Sequence, residues 1–172
     1  MDRYNRKLNI FCELGRAFAK LSTCKRRETG AVVFPVDCSA VLAVGYNGPA
    51  RGLPNDACTG QVGACGCAHA ESNAITKLSP NIMQPCLMFT TLLPCIACAN
   101  AIVNCGMIVG ILYDTEYRNE RGNKIITQAG ISIVHTDHLG DSIHDQVRQW
   151  RDIGRIPERA TSADWAHGVH RL

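Results

Sequence analysis

Two short polar motifs constrain this chain more than anything else in it: His69-Ala70-Glu71 and Pro94-Cys95-Ile96-Ala97-Cys98. Each stands where a helix is predicted to begin, and both helix starts must meet if the motifs act together. Residues three apart on a helix share a face, so Cys95 and Cys98 can address one ion. One imidazole and two thiolates supply three ligands of a tetrahedral zinc and leave the fourth position for water. That is the arrangement of a catalytic zinc rather than a structural one. Helix N-termini carry partial positive charge, which favours thiolates. Glu71, two residues from His69, is close to such a metal yet free to carry protons. A lone histidine near a helix start is commonly just polar, and a lone Cys-x-x-Cys also serves as a redox pair or half of a structural site. The two occurring together, in this order, argue for the metal.

The rest of the pattern predicts a layered fold. Apolar residues from Leu8 to Leu21 recur at helical spacing and predict a helix over 5–22. Residues 30–36 and 40–45 read as buried strands joined by a short turn. Residues 46–67 form a long loop rich in Gly, Pro, Asn and Cys, of the kind that carries function or is pinned by something. A helix over 69–78, a strand over 87–91 and a helix from Cys95 to about Asn104, ended by Gly106, follow. A strand over 107–113, a helix over 119–129 and a strand over 131–135 complete the alternation, which argues for a layered α/β domain. The reading is one domain over 1–137. Residues 138–172, Arg-rich with thin apolar periodicity, are a C-terminal extension, part of the same domain or peripheral to it.

A chain of 172 residues is long enough to bury a core unaided. Apolar residues make up 46% and charged residues 19%, an ordinary globular balance. The net charge of +3 suits a small anionic substrate and neither demands nor excludes nucleic acid. No apolar run approaches the ~20 residues of a membrane helix. The N-terminal stretch Met1 to Lys7 opens no signal-type apolar segment, so a cytoplasmic location without a membrane partner is expected. In a reducing compartment ten cysteines point to metal or catalysis rather than disulfides. Cys12, Cys38, Cys86 and Cys105 stand in apolar surroundings and read as buried thiols.

The segments His69-Ala70-Glu71-Ser72-Asn73-Ala74-Ile75 and Thr91-Leu92-Leu93-Pro94-Cys95-Ile96-Ala97-Cys98-Ala99 resemble the two defining motifs of the cytidine/deoxycytidylate deaminase superfamily. His-x-Glu with Pro-Cys-x-x-Cys is already the recognised signature of zinc nucleobase deaminases. Gly30-Ala31-Val32-Val33, Gly45-Tyr46-Asn47-Gly48, Tyr113 with Tyr117, and Ala129-Gly130-Ile131 further resemble its deoxycytidylate (dCMP) deaminase branch. The resemblance spans about residues 5 to 136. It implies a three-layer α/β/α fold with a mixed five-stranded sheet. It also implies hydrolytic deamination of dCMP to dUMP and ammonia, supplying dUMP for thymidylate synthesis. Cytidine, guanine or adenosine in tRNA are the alternative substrates, and Leu93 before Pro94 argues against the tRNA branch, where Glu is typical. The resemblance assigns catalytic zinc to His69, Cys95 and Cys98, proton shuttling to Glu71, substrate contact to Asn47 and the substrate phosphate to Arg26. Tyr113 and Tyr117 are the candidates to pack on the pyrimidine or sugar, one of the two being equally a core residue; Tyr113 is the one assigned to the substrate site. Thr29, where Val is usual, and Pro49, one residue early, depart from the pattern. The branch further implies a homo-oligomer, a hexamer being one such assembly, with dCTP and dTTP as effectors and no nucleic-acid partner.

Some members of that branch hold a second, structural zinc with cysteines at the places of Cys24 and Cys58 and a ligand at the place of Cys67. Cys65 would be the fourth. Four thiolates make a closed structural site, worth roughly 10–16 kcal/mol of apparent binding. The other reading of these residues is free loop thiols, or a redox pair at Cys65 and Cys67. A rival of another class is a non-enzymatic zinc module for nucleic acid or protein. The short Cys-x-x-Cys with a single nearby His, and the modest charge, speak against it.

Overall fold

Strand direction decides where the two motifs end up. The structure, a computed structural model, describes residues 3–82, 84–117 and 120–139. Helix α1 (Arg3–Ala19) leads into strands β1 (Gly30–Pro35) and β2 (Ala43–Tyr46). Then come α2 (Ala70–Ile75), β3 (Cys86–Thr90), α3 (Ile96–Cys105), β4 (Ile108–Tyr113), α4 (Arg121–Gln128) and β5 (Ser132–His135). The sheet runs in the order β2-β1-β3-β4-β5. β1 is antiparallel to both its neighbours, while β3, β4 and β5 pair in parallel. β2 therefore points the same way as β3, β4 and β5.

Three crossovers, through α2, α3 and α4, step across the sheet in one direction between parallel strands. Crossovers of one hand stepping one way place their helices on one face. Ala70 and Ala74 of α2, Ala99 and Ile102 of α3, and Ile126 of α4 indeed share a single core with Ala31, Val33, Met88 and Ile111 of the sheet. The alternate strand residues Val32, Phe34, Leu87, Phe89 and Leu112 face the opposite way and pack with Leu8 and Cys12 of α1. That period-2 alternation makes the three layers expected from the sequence. β3 is covered on both faces and buried throughout, which is why it reads as an unbroken apolar run.

The element boundaries differ from the sequence expectation where the chain leaves a helix or enters a strand. α1 stops at Ala19, not at 22. The amides of Lys20, Leu21 and Ser22 bond to carbonyls three residues back, and Leu21, although at helical spacing, is exposed. Strand β2 begins at Ala43 rather than 40. The intervening link turns at Cys38, whose amide bonds to the Pro35 carbonyl and whose φ is 54°. α2 ends at Ile75, and Thr76 to Leu78 continue only as tight turns. α3 is where the sequence put it, with Gly106 at φ 65° receiving its end. Loop 46–67 holds one short 3₁₀ turn, Asn55–Ala57.

Cys12, Cys38 and Cys86 are buried as expected, and Cys105 is half-buried. Of the 138–172 extension only His138 and Leu139 lie within the described residues, and Leu139 packs against the α1-side core. No helix among the described residues is long and apolar enough to cross a membrane.

Candidate functional site

Because β2 and β3 are parallel, the segments leaving their carboxyl ends emerge on one side of the sheet. Crevices at the carboxyl ends of parallel strands are where open α/β sheets bind ligands. There the chain enters α2 and α3, with His69 capping the first and Cys95 the second, both in extended backbone conformation. His69 Nδ1 lies 3.4 Å from Cys95 Sγ and 3.3 Å from Cys98 Sγ. Tetrahedral zinc with ordinary Zn–N and Zn–S bonds sets such donors ~3.6 Å apart. The three side chains thus fit one ion, with Nδ1 as the histidine donor. Ser72 Oγ stands 3.8 Å from Cys98 Sγ and supports it from behind. Asn73 Nδ2 donates to the Tyr46 carbonyl at 2.7 Å, tying α2 to the strand beneath it.

The electrostatics of the trio call for a cation. A hydrogen bond from Cys98 and the neighbouring His69 draw the Cys95 thiol down to about 4, while the same bond, together with burial, pushes Cys98 up. His69 is raised by its contact with Cys95. Two thiols this close hold one negative charge comfortably and a second only beside a positive ion. Glu71 is 3% exposed, and desolvation pushes its carboxyl above the usual range. A carboxyl whose burial favours the protonated form, beside such a donor trio, suits proton transfer.

His69, Glu71 and Cys95 line a cavity of about 830 Å³, and Arg26 and Asn47 line it too. The Asn47 amide is engaged with the backbone of the neighbouring loop: Oδ1 accepts from the Thr29 amide at 2.8 Å, and Nδ2 donates to the Arg27 carbonyl at 2.7 Å. Its first physical task is thus to hold segment 27–29 against the site. Of the two tyrosine candidates, Tyr113 is not among the residues that line this cavity. Its hydroxyl donates to Glu116 and its ring meets His135 edge-on at 5.1 Å, on the wall of a second cavity of about 520 Å³ that shares Glu116 with the first. The residue that lines the main cavity is Tyr117. Tyr113 closes β4, whereas the turn after it, fastened by the Leu93 amide on the Thr115 carbonyl, returns the chain toward α3. Arg27 and Glu116 also reach the cavity; Arg27 is one of several cations available for a phosphate that the sequence alone does not sort, and Glu116 sits in an irregular turn without a motif.

The four remaining thiols converge beside this cavity. The sulfurs of Cys24, Cys58, Cys65 and Cys67 all lie within 4.8 Å of one another, with Cys24 and Cys58 at 3.9 Å. Tetrahedral tetrathiolate zinc sets its sulfurs ~3.8 Å apart. The Lys25 amide donates to Cys58 Sγ at 3.4 Å and draws that thiol down to about 7, while burial and its thiol neighbours push Cys67 up. Here too the crowded thiols fit a divalent ion. Cys24, Cys65 and Cys67 face the same cavity as His69 and Cys95.

A mixed five-stranded sheet with a soft donor trio and a buried carboxyl at the carboxyl ends of two parallel strands defines a metal-centred α/β domain. Residues 6–113 match the cytidine and deoxycytidylate deaminase zinc-binding region, and the chain belongs to that family. It is 31% identical over 137 residues to the deoxycytidylate deaminase of Saccharomyces cerevisiae, covering 73% of this chain and 43% of that protein. Against the Schizosaccharomyces pombe deoxycytidylate deaminase it is 29% identical over 134 residues, covering 70% and 41%. The chain thus spans less than half the length of these two relatives. Among solved structures, the dCMP deaminase of cyanophage S-TIM5 in complex with dCMP and dUMP superposes with a TM-score of 0.69 at 27% identity. That match covers 78% of this chain and 98% of the phage chain.

Proposed function

We propose that this chain hydrolytically deaminates deoxycytidylate (dCMP) to dUMP and ammonia, using a zinc held by His69, Cys95 and Cys98. The observation that carries the reading is the buried Glu71 carboxyl beside that donor trio, on a cavity that also receives two guanidinium-bearing residues. The phage relative that matches along nearly its whole length holds dCMP and dUMP, a substrate and product of this reaction. Bound zinc would supply Lewis acidity, bringing the pKa of a water from 15.7 toward ~7. Glu71 accepts a proton as the water oxygen bonds to C4 of the cytosine ring, and delivers it to N3. It then transfers the second water proton to the amino nitrogen as the C4–N bond breaks, releasing ammonia.

Arg26 and Arg27 suit the substrate phosphate, since charge-assisted bonds to phosphate are the strong ones. The segment carrying them is held at one end by Cys24 in the thiol cluster and at the other by Asn47. A second, structural zinc in that cluster would therefore stiffen the phosphate end of the cavity. All ten cysteines are free, which fits a reducing, cytoplasmic setting. Homo-oligomeric assembly and control by dCTP and dTTP belong to the same reading and rest on the resemblance.

The test is an ammonia-release assay over dCMP, dCTP, cytidine, guanine and tRNA, paired with a zinc count per chain. dCMP should be the preferred substrate, with two zinc ions per chain. Ammonia from none of the five, or cytidine turned over faster than dCMP, overturns the proposal.

A further inference from the structure

The donors of the trio sit on two helix starts, and a glycine from another element abuts each. Gly45 lies on β2 beneath α2. A Cβ added there would stand 2.1 Å from the Ala70 carbonyl oxygen and 2.6 Å from the Ala74 amide nitrogen. Those two groups are an i, i+4 pair of the helix ladder, and Ala70 is the residue between His69 and Glu71. Gly122 lies in the first turn of α4, against the entry to α3. Its added Cβ would stand 2.2 Å from the Pro94 carbonyl oxygen and 3.1 Å from the Cys95 carbonyl carbon. In both cases the neighbour is backbone, not the yielding tip of a side chain.

We infer that Gly45 and Gly122 are positioning residues of the metal centre: their bare backbones set the placement of His69 and Cys95 relative to one another. This rests on the proposed zinc site. Real Cβ contacts essentially never fall under 3.0 Å, so an alanine must open its contact by roughly 0.9 Å at Gly45 and 0.8 Å at Gly122. Metal–ligand distances tolerate about ±0.2 Å. The displacement required is several times that tolerance, and at both positions it falls on a residue next to a ligand: Ala70 after His69, and Pro94 before Cys95, whose own carbonyl carbon is at 3.1 Å. Loss of outer supports commonly weakens metal binding about 10–100-fold.

Gly30 supplies the control. Its added Cβ would stand 2.1 Å from the Gly15 carbonyl oxygen, so Gly30→Ala is as crowded, but it presses on α1, which carries none of the trio. Zinc affinity is measured by competition with a chelator, together with melting temperature, for Gly45→Ala, Gly122→Ala, Gly30→Ala and His69→Ala. All three glycine variants should melt earlier. Only Gly45→Ala and Gly122→Ala should weaken, by tenfold or more, the zinc that His69→Ala removes. The two positions lie on different elements, so one soluble variant of the pair decides. If both hold that zinc as tightly as Gly30→Ala does, the inference fails while the metal reading stands. If His69→Ala keeps the full zinc complement of the parent chain, the metal reading fails and takes the inference with it.

Discussion

The two sulfur clusters of this molecule reach one cavity, through His69 and Cys95 on one side and Cys24, Cys65 and Cys67 on the other, but are built in opposite ways. His69, Cys95 and Cys98 sit at the heads of α2 and α3, on a sheet whose direction and packing are settled by apolar burial elsewhere. Cys24, Cys58, Cys65 and Cys67 sit on loops, three of them in the long segment 46–67, whose one helical turn is the 3₁₀ turn Asn55–Ala57, and Leu53 and Val62 of that segment are exposed. The first cluster is placed by the fold. The second must place its own surroundings, because a loop with so little apolar side chain to bury has no other large source of order. A catalytic metal can then be removed with the scaffold intact, whereas a structural one takes its loop with it.

The largest effect that would sharpen this contrast is loss of the zinc proposed for the loop thiols. Cys58→Ser should lose one zinc per chain, and with it binding worth roughly 10–16 kcal/mol. Limited proteolysis should then cut within 46–67, while circular dichroism reports the sheet and helices unchanged. Resistance equal to the parent chain would break the contrast. Glu71→Ala comes next: turnover of dCMP should fall about 10²–10⁴-fold with the zinc count unaltered, since Glu71 is not among the donor atoms. Near-normal turnover would remove it from the proton path. The smallest effect concerns thiols outside both clusters. Burial pushes Cys12 and Cys86 up to about 12 and Cys38 up to about 11. The folded chain should therefore leave these three unlabelled by iodoacetamide at pH 8, as mass spectrometry of digests would show. The sign of the linkage follows: the neutral thiol is favoured in the fold, so stability is unaffected below about pH 9 and declines from there toward pH 12 as the unfolded chain loses these protons first. Rapid labelling at pH 8 would show that the core opens.

Much of the fold was legible because the strands of the central sheet are apolar runs bounded by turn residues. α3 was legible to its last turn, because Gly106 marks the end by the left-handed conformation it adopts. The ends of α1 and α2 were not, since Leu21 and Leu78 continue a helical period while the backbone has already tightened into turns. The metal donors were readable from residue type and spacing. The substrate side was not: Tyr113 and Tyr117 look alike in sequence, and only the turn fastened at Thr115 makes one a wall of the cavity and the other a partner of His135. Asn47 likewise reads as a substrate contact, yet its amide is first of all a clamp on Arg27 and Thr29.

By itself the sequence determined which atoms are able to bind a soft metal and which carboxyl stands beside them, because donor chemistry and spacing within a helical turn are local properties. Only the tertiary structure decided that the two helix heads meet, that four loop thiols close on one point, and which polar side chains look into the cavity. Those outcomes depend on strand direction, crossover hand and backbone contacts as close as those at Gly45 and Gly122, and residues far apart in the chain set each of them.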